Sequence, residues 1–156
     1  MSGWDLRAAA PADADALAAL VQAAFEEYRG VLAPPSGAHD DTAAVLQAKM
    51  RTSQALVAVQ NGESAGCVFY WHEGGRTEMG RLAVLPAHRG RGLGHALVEG
   101  VEARAREAGS GSVRLAVRLV LTDNRAFYAR RGYREAEMGY HDGITDPTFV
   151  YMEKAL

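Results

Sequence analysis

The residues best suited to chemistry lie together in LAVLPAHRGRGLGHALVEG, Leu82 to Gly100. An apolar run ends just before Pro86. Glycines then stand at positions 90, 92 and 94, with Arg89 and Arg91 beside them, and a helical pattern starts at once. Such a loop presents the backbone N–H groups of Gly90, Arg91, Gly92, Leu93, Gly94 and His95 at the start of a helix. Those groups have no carbonyl partner within the helix, and they sit at the positive end of its dipole. An anion fits there, a pyrophosphate above all. Glycine suits the place because a Cβ would hold the phosphate away. A plain strand-to-helix turn explains one glycine. It explains three glycines with two arginines poorly.

Rival motifs fail on their own residues. A Walker loop ends in Gly-Lys-Ser/Thr, and no lysine stands here. A dinucleotide fingerprint would need a third glycine where His95 or Leu97 stands, and it would come earlier in the chain. RGRG between a strand and an amphipathic helix is not the disordered tail that reads RNA.

The elements that must position the loop follow from periodicity. Trp4 to Ala9 reads as a strand. Pro11 and Asp13 open a helix to about Tyr28, with Leu17, Leu20, Val21, Ala24 and Phe25 on one face. A shorter helix from Asp41 or Thr42 to Met50 follows the Pro/Gly/Ser loop 31–41. Gln54–Gln60 and Ser64–Trp71 flank Asn61-Gly62, a hairpin signal. Gly74-Gly75 turns into a strand from Thr77 to Leu85, on which alternation puts Glu78, Gly80, Leu82 and Val84 on one face. A helix from Gly92 to Gly109 carries Leu93, Leu97, Val101, Ala105 and Ala108 as its apolar stripe, with Glu99, Glu102, Arg106 and Glu107 outside it. Ser112 to Val120 is a strand. A short helix over 124–131 is capped by Asp123 or Asn124. Strands over 133–140 and 147–155 close the chain, with Met138, Phe149, Val150 and Met152 as core. The order β-α-α-β-β-β-α-β-α-β-β describes an α/β (α+β) domain with a mixed sheet over residues 1–156.

Composition narrows the function. The 156 residues are 48% hydrophobic with a formal net charge of −2. That is globular and carries no basic excess for nucleic acid or a membrane surface. Aspartates interrupt the first apolar stretch, so a secretion signal is not expected, and no run approaches a membrane span. Cys67 is the one cysteine, which excludes an internal disulfide. A cytoplasmic location is the default expectation.

The loop and its surrounding order resemble the GNAT superfamily of N-acetyltransferases. Its pattern is an apolar strand, Gln/Arg-x-x-Gly-x-Gly/Ala, then a helix; Arg89, Gly92 and Gly94 fill the fixed places. A second signature, Tyr-x-x-x-Gly-Phe/Tyr, is met by Tyr128, Gly132 and Tyr133 in FYARRGY. The resemblance is specific from about Glu78 to Tyr133 and covers the N-terminal third in layout only. It implies a mixed, mostly antiparallel sheet flanked by helices. It also implies that Leu82, Ala83 and Val84 bind the pantetheine arm of acetyl-CoA through their backbones, beside a bulge that turns an N–H toward the thioester oxygen. The loop from Arg89 to His95 would hold the pyrophosphate. Tyr128 would protonate the departing thiolate, or else is a packed aromatic. The family often has an asparagine seven residues before that tyrosine. Here Leu121 stands there, and Asn124 either contacts the cofactor or only caps its helix. Glu78, eleven residues before Arg89, matches the spacing of a general base in some members, acting directly or through water with its pKa raised by burial. It equally fits an exposed charge at a strand start.

The acceptor is less legible. Tyr28, Arg29, the 31–41 loop, Tyr70, Trp71, Tyr140 and His141 are candidates to line its groove. Asp40, Asp41 and Asp142 would suit a cationic amine, whereas Arg29 would suit a carboxylate. A polyamine or aminoglycoside, an amino acid and a peptide N-terminus all remain open. The reading is an acetyl-CoA-dependent N-acetyltransferase that needs no metal and acts on a small-molecule or peptide amine by direct attack. Cys67 is not expected to carry the acetyl group. The rival is a non-catalytic acyl-CoA sensor. A homodimer could form if both terminal strands paired across a two-fold axis.

Overall fold

The computed structural model describes residues 3–156. Its elements are β1 (Asp5–Ala8), α1 (Ala14–Phe25), α2 (Ala43–Lys49), β2 (Gln54–Gln60), β3 (Glu63–Glu73), β4 (Arg76–Val84), α3 (Leu93–Glu107), β5 (Ser112–Arg118), α4 (Thr122–Ala129), β6 (Arg134–Gly139) and β7 (Phe149–Ala155). They form one seven-stranded sheet in the order β1-β2-β3-β4-β5-β7-β6. Every neighbouring pair is antiparallel except β4 and β5.

Local chemistry accounts for the joints. Asn61 (φ 51°) and Gly62 (φ 79°) turn β2 into β3, and Gly74 and Gly75 turn β3 into β4 with φ of 59° and 79°. Two consecutive left-handed residues match the twist of the flanking strands. Thr42 caps α2 by accepting from the Val45 N–H at 3.2 Å. Both faces of the sheet are covered. Leu93, Leu97, Val101 and Ala105 of α3 pack with Val68, Met79, Leu115 and Val117 on one face. Leu17, Val21 and Leu46 of α1 and α2 pack with Val57, Phe69 and Ala83 on the other.

Two irregularities in β4 position the site. The first is a bulge. Phe69 pairs with Gly80, but Cys67 pairs with Ala83, so β4 carries one residue more than β3 across this interval. Arg81 takes up the extra residue at φ 54°, in the left-handed region. The second is a separation. β4 and β5 pair only at Thr77 with Val113 and Glu78 with Arg114, although both strands run on past these residues. A bulge adds right-handed twist to its strand, which turns β4 away from β5 and opens a cleft between them.

The bulge overturns the alternation expected along β4. Met79 packs on the α3 side, and so do Leu82 and Val84, whereas Ala83 packs on the α1–α2 side. Glu78 and Gly80 therefore face away from Leu82 and Val84. Other expectations also need correction. Glu102 is buried, accepting from the Tyr133 hydroxyl at 2.9 Å and from Lys154 Nζ at 3.2 Å, while Ala108 is exposed. Met138 is exposed. The C-terminal strand β7 is paired on both sides, so it is not free for a partner; β1 and β6 are the sheet edges.

Candidate active site

The cleft between β4 and β5 has a volume of about 1010 Å³. Its floor is the closed end at Glu78 and Arg114. Its mouth is the glycine loop, and α4 and the end of α1 form its sides.

The three glycines are present for two reasons. Gly90 and Gly92 stand at φ 76° and 83°, where a side chain is strained. Gly94 has an ordinary backbone, but a Cβ there would meet the Phe127 ring at 3.3 Å. The first backbone donor of α3 with a partner is Ala96, bonded to the Gly92 carbonyl at 3.0 Å. The N–H groups of Gly90 through His95 have no acceptor among the described residues.

Side chains and backbones of the expected cofactor residues divide sharply. Leu93 and Ala83 bury their side chains in the two cores, and Leu82 and Val84 pack under α3. Leu82, Ala83 and Val84 line the cleft on the part of β4 that has no pairing with β5. Arg89 was expected among the cofactor residues, but its guanidinium is used within the protein. It bonds Glu27 at 2.6 Å, the Ala24 carbonyl at 3.0 Å and the Val84 carbonyl at 3.1 Å, tying the loop to the end of α1. His95 lies 3.1 Å from Glu99 one turn along α3. Arg91 is exposed at the mouth.

Tyr128 comes from α4 and lines the cleft. Its ring packs edge-on against Phe127 and Tyr133, and its hydroxyl has no hydrogen-bond partner among the described residues. Burial pushes its phenol above the ordinary value, with the nearby Tyr28 adding to the shift. It is thus a weaker acid than a free phenol, and one that stays protonated. Asn124 does not cap α4; Leu121 occupies that place without a side-chain bond. Asn124 instead donates to the Tyr28 hydroxyl at 3.3 Å across the cleft.

Glu78 is buried at the closed end. Its Oε1 receives Arg114 Nη2 at 2.8 Å, Arg114 Nε at 2.9 Å and Arg76 Nε at 3.2 Å. Its Oε2 has only the longer contact of 3.3 Å from Arg114 Nε. The exposed-charge alternative is thereby removed. Arg114 in turn lies 4.0 Å over the Tyr151 ring.

Several acceptor candidates lie elsewhere. Tyr70 is buried with the α3-side core. Asp41 is 3% exposed and paired with Arg81 at 2.7 Å and Lys49 at 3.5 Å, so it is not offered to a ligand. Arg29 pairs with Glu26. Tyr28 and Trp71 do line the cleft. Sequence reading missed Arg114, Arg118, Arg130 and Arg131, which also line it. The signal was present: in RLAVR the arginines alternate with Leu115 and Val117, which marks a strand face that is not core. Cys67 is wholly buried, and burial pushes its thiol up to about 12. No group of three or more His, Cys, Asp or Glu side chains suited to a metal occurs among the described residues. No helix among them is long and apolar enough to cross a membrane.

This strand–loop–helix site on a seven-stranded mixed sheet defines an acyltransferase class, and comparison with known proteins agrees. Residues 16–133 match the model of the acetyltransferase (GNAT) family. The IAA acetyltransferase of Azospirillum brasilense is 31% identical over 146 residues, covering 91% of this chain and 92% of that protein. The aminoalkylphosphonate N-acetyltransferase of Salmonella typhimurium is 31% identical over 90 residues, covering 54% of this chain and 58% of that protein. The crystal structure of PaiA N-acetyltransferase from Thermoplasma acidophilum in complex with coenzyme A superposes with a TM-score of 0.83 at 17% identity, covering 98% of this chain and 99% of that one. The chain belongs to the GNAT family and is an N-acetyltransferase.

Proposed function

We propose that this protein moves an acetyl group from acetyl-CoA to a primary amine by direct attack within a ternary complex. The observation that carries the reading is the run of unpartnered N–H groups from Gly90 to His95, continuous with the unpaired edge of β4. A pyrophosphate needs several donors converging at a helix start, and a pantetheine arm needs a strand edge; these residues fit both. Arg130 and Arg131 add positive charge to the lining of the cleft.

When bound, acetyl-CoA supplies an acetyl thioester. The protein's own groups then do three things. Backbone N–H groups at the Arg81 bulge stabilise oxygen that gains negative charge, a contribution of roughly 3 kcal/mol per donor. Glu78 receives the amine proton through water, at the Oε2 that its arginines leave less occupied. Tyr128, held protonated by burial, donates its hydroxyl hydrogen to the leaving sulfur. A small amine acceptor is consistent with the relatives, one of which is named for an aminoalkylphosphonate.

The testing experiment is thermal unfolding with and without acetyl-CoA, followed by an amine screen for CoA release. A ligand at 100 times its Kd adds roughly 2.7 kcal/mol and should raise the midpoint by several degrees. No shift, in protein shown to be free of co-purified CoA, would remove the loop assignment.

A further inference from the structure

We propose that Arg118 reads an anionic group on the acceptor, so that the substrate is a small amine bearing a carboxylate or phosphonate. This rests on the acetyl-transfer reading above and narrows it.

Arg118 differs from the other arginine on its strand face. Arg114 is neutralised by Glu78 and by Glu137 at 3.2 Å. Arg118 has no ion pair among the described residues. It donates through Nη1 to the Pro34 carbonyl at 2.7 Å and through Nη2 to the Pro35 carbonyl at 3.3 Å. Two carbonyls fix the plane of the guanidinium without cancelling its charge. Three of its five N–H groups stay available. The uncancelled charge is felt nearby: His141 is held below its ordinary value by burial and then by Arg118. Keeping a half-buried cation in a cleft wall with no counter-ion is costly unless an anion arrives. A fixed planar fork is the geometry that binds carboxylate and phosphonate oxygens in pairs.

Its position suits an acceptor rather than the cofactor phosphates. Val117 points toward α3, so Arg118 points to the opposite face, where the 31–41 loop meets it. Glu78 pairs with Arg114. Arg118 lies four residues further along β5, about 13 Å from the closed end at an ordinary strand rise, and on β4 the bulge at Arg81 also lies beyond that end. Arg118 thus lines the same cleft as the bulged strand, beyond its closed end and on the side where the acyl group is proposed to lie. An anion held there leaves an amine in the same small molecule close to that group. Trp71 and Tyr28 line the same cleft and can pack the body of the substrate. A polycationic amine would meet the uncancelled charge of Arg118 directly.

The test follows CoA release from acetyl-CoA with the common amino acids and short aminoalkylphosphonates. Each is compared with its amide, ester or decarboxylated amine. The expected result is at least one acid preferred over its neutral partner by about a hundredfold or more in kcat/KM. Separating the carboxylate and phosphonate series identifies which oxyanion is used. Arg118→Gln should remove the preference mainly through KM, and Arg118→Lys should restore part of it. The rise in midpoint with acetyl-CoA should persist in both variants. Neutral partners used equally well, a preference that survives Arg118→Gln, or no turnover of any acid by protein that acetyl-CoA stabilises would each overturn the role of Arg118 while leaving cofactor binding intact. Absence of stabilisation by acetyl-CoA in the unmodified protein would instead overturn the reading beneath it.

Discussion

Arg81 Nε lies 2.7 Å from Oδ2 of Asp41, a carboxylate forty positions earlier in the chain and 3% exposed. The pair joins the segment just before α2 to the bulge of β4. Gly37 completes the arrangement, because a Cβ there would stand 2.9 Å from Arg81 Nη2. A non-glycine residue at φ 54° costs of order 1–3 kcal/mol and persists only where its surroundings impose it. Here the surroundings include an ion pair to a buried carboxylate, so the shape of β4 is tied to a segment distant in sequence.

Asp41→Ala is expected to lower stability by about 1–3 kcal/mol, because it removes the shared partner of Arg81 and Lys49, both of which keep access to solvent. It should also lower kcat more than acetyl-CoA affinity, since the glycine loop is untouched. Urea unfolding and steady-state kinetics read the two effects separately. Full turnover in a folded variant would show that the bulge holds its shape without Asp41.

Gly92→Asp should abolish acetyl-CoA binding. It adds a negative charge beside the free N–H groups and strains a residue at φ 83°. Gly92→Ala separates the two causes, because it brings the strain alone, about 1–2 kcal/mol. The thermal shift with acetyl-CoA should therefore vanish in Asp and survive, reduced, in Ala.

Much of this fold is local and was legible. Asn61-Gly62, Gly74-Gly75 and Gly109 act through their own dihedrals, and the α3 stripe follows its period. What sequence could not give is long-range. The resemblance implies a bulge in this strand, but not the residue that takes it up or what holds it: Arg81 meets Asp41 there, and nothing near Arg81 in sequence signals a left-handed residue. From that one displacement the assignment of Glu78 and Leu82 to a common face fails. The partners of Arg89 and Glu78 were hidden for the same reason: Glu27 and Arg114 are remote in the chain. Glu102 looked like a surface residue because its partners, Tyr133 and Lys154, lie on other elements.

Tyr128→Phe should leave the acetyl-CoA shift nearly unchanged and reduce kcat by about 100-fold or more, the range of a lost proton donor. The folded phenol is raised above its ordinary value, so the donor form persists as pH rises. The unmodified enzyme should show no alkaline loss of kcat from Tyr128 below about pH 10. Wild-type turnover in the Phe variant would reduce Tyr128 to packing.

Acid stability offers a separate check on the N-terminal segment. Asp13 accepts from both terminal nitrogens of Arg7 at 2.9 Å and from the Ala10 N–H at 2.7 Å. Its carboxyl is lowered to about 2, first by the hydrogen bond from Arg7. A depressed carboxylate stabilises the fold above its unfolded pKa, near 4, and that contribution is lost as pH falls toward 2. Asp13→Asn should therefore be less stable than the parent at pH 6, and the difference should shrink between about pH 4 and pH 2. A constant difference across that window would show that Asp13 acts through shape rather than charge.

Glu78→Gln tests the proton path most directly. Glutamine is close in size and can still accept from Arg114 through its carbonyl oxygen, so the closed end of the cleft should keep its form. It cannot take a proton from an attacking amine at neutral pH. Turnover should fall by about 100-fold or more, within the usual range for a general base, with KM for acetyl-CoA little changed. Raising the pH supplies more amine already deprotonated in solution, so the deficit should narrow toward the pKa of the acceptor amine. That pH-dependent recovery separates a base from a residue that only holds Arg114 in place, whose loss would lower the rate equally at every pH. Arg114→Gln supplies the opposite control: it should disturb the cleft and both substrates, without recovery at high pH.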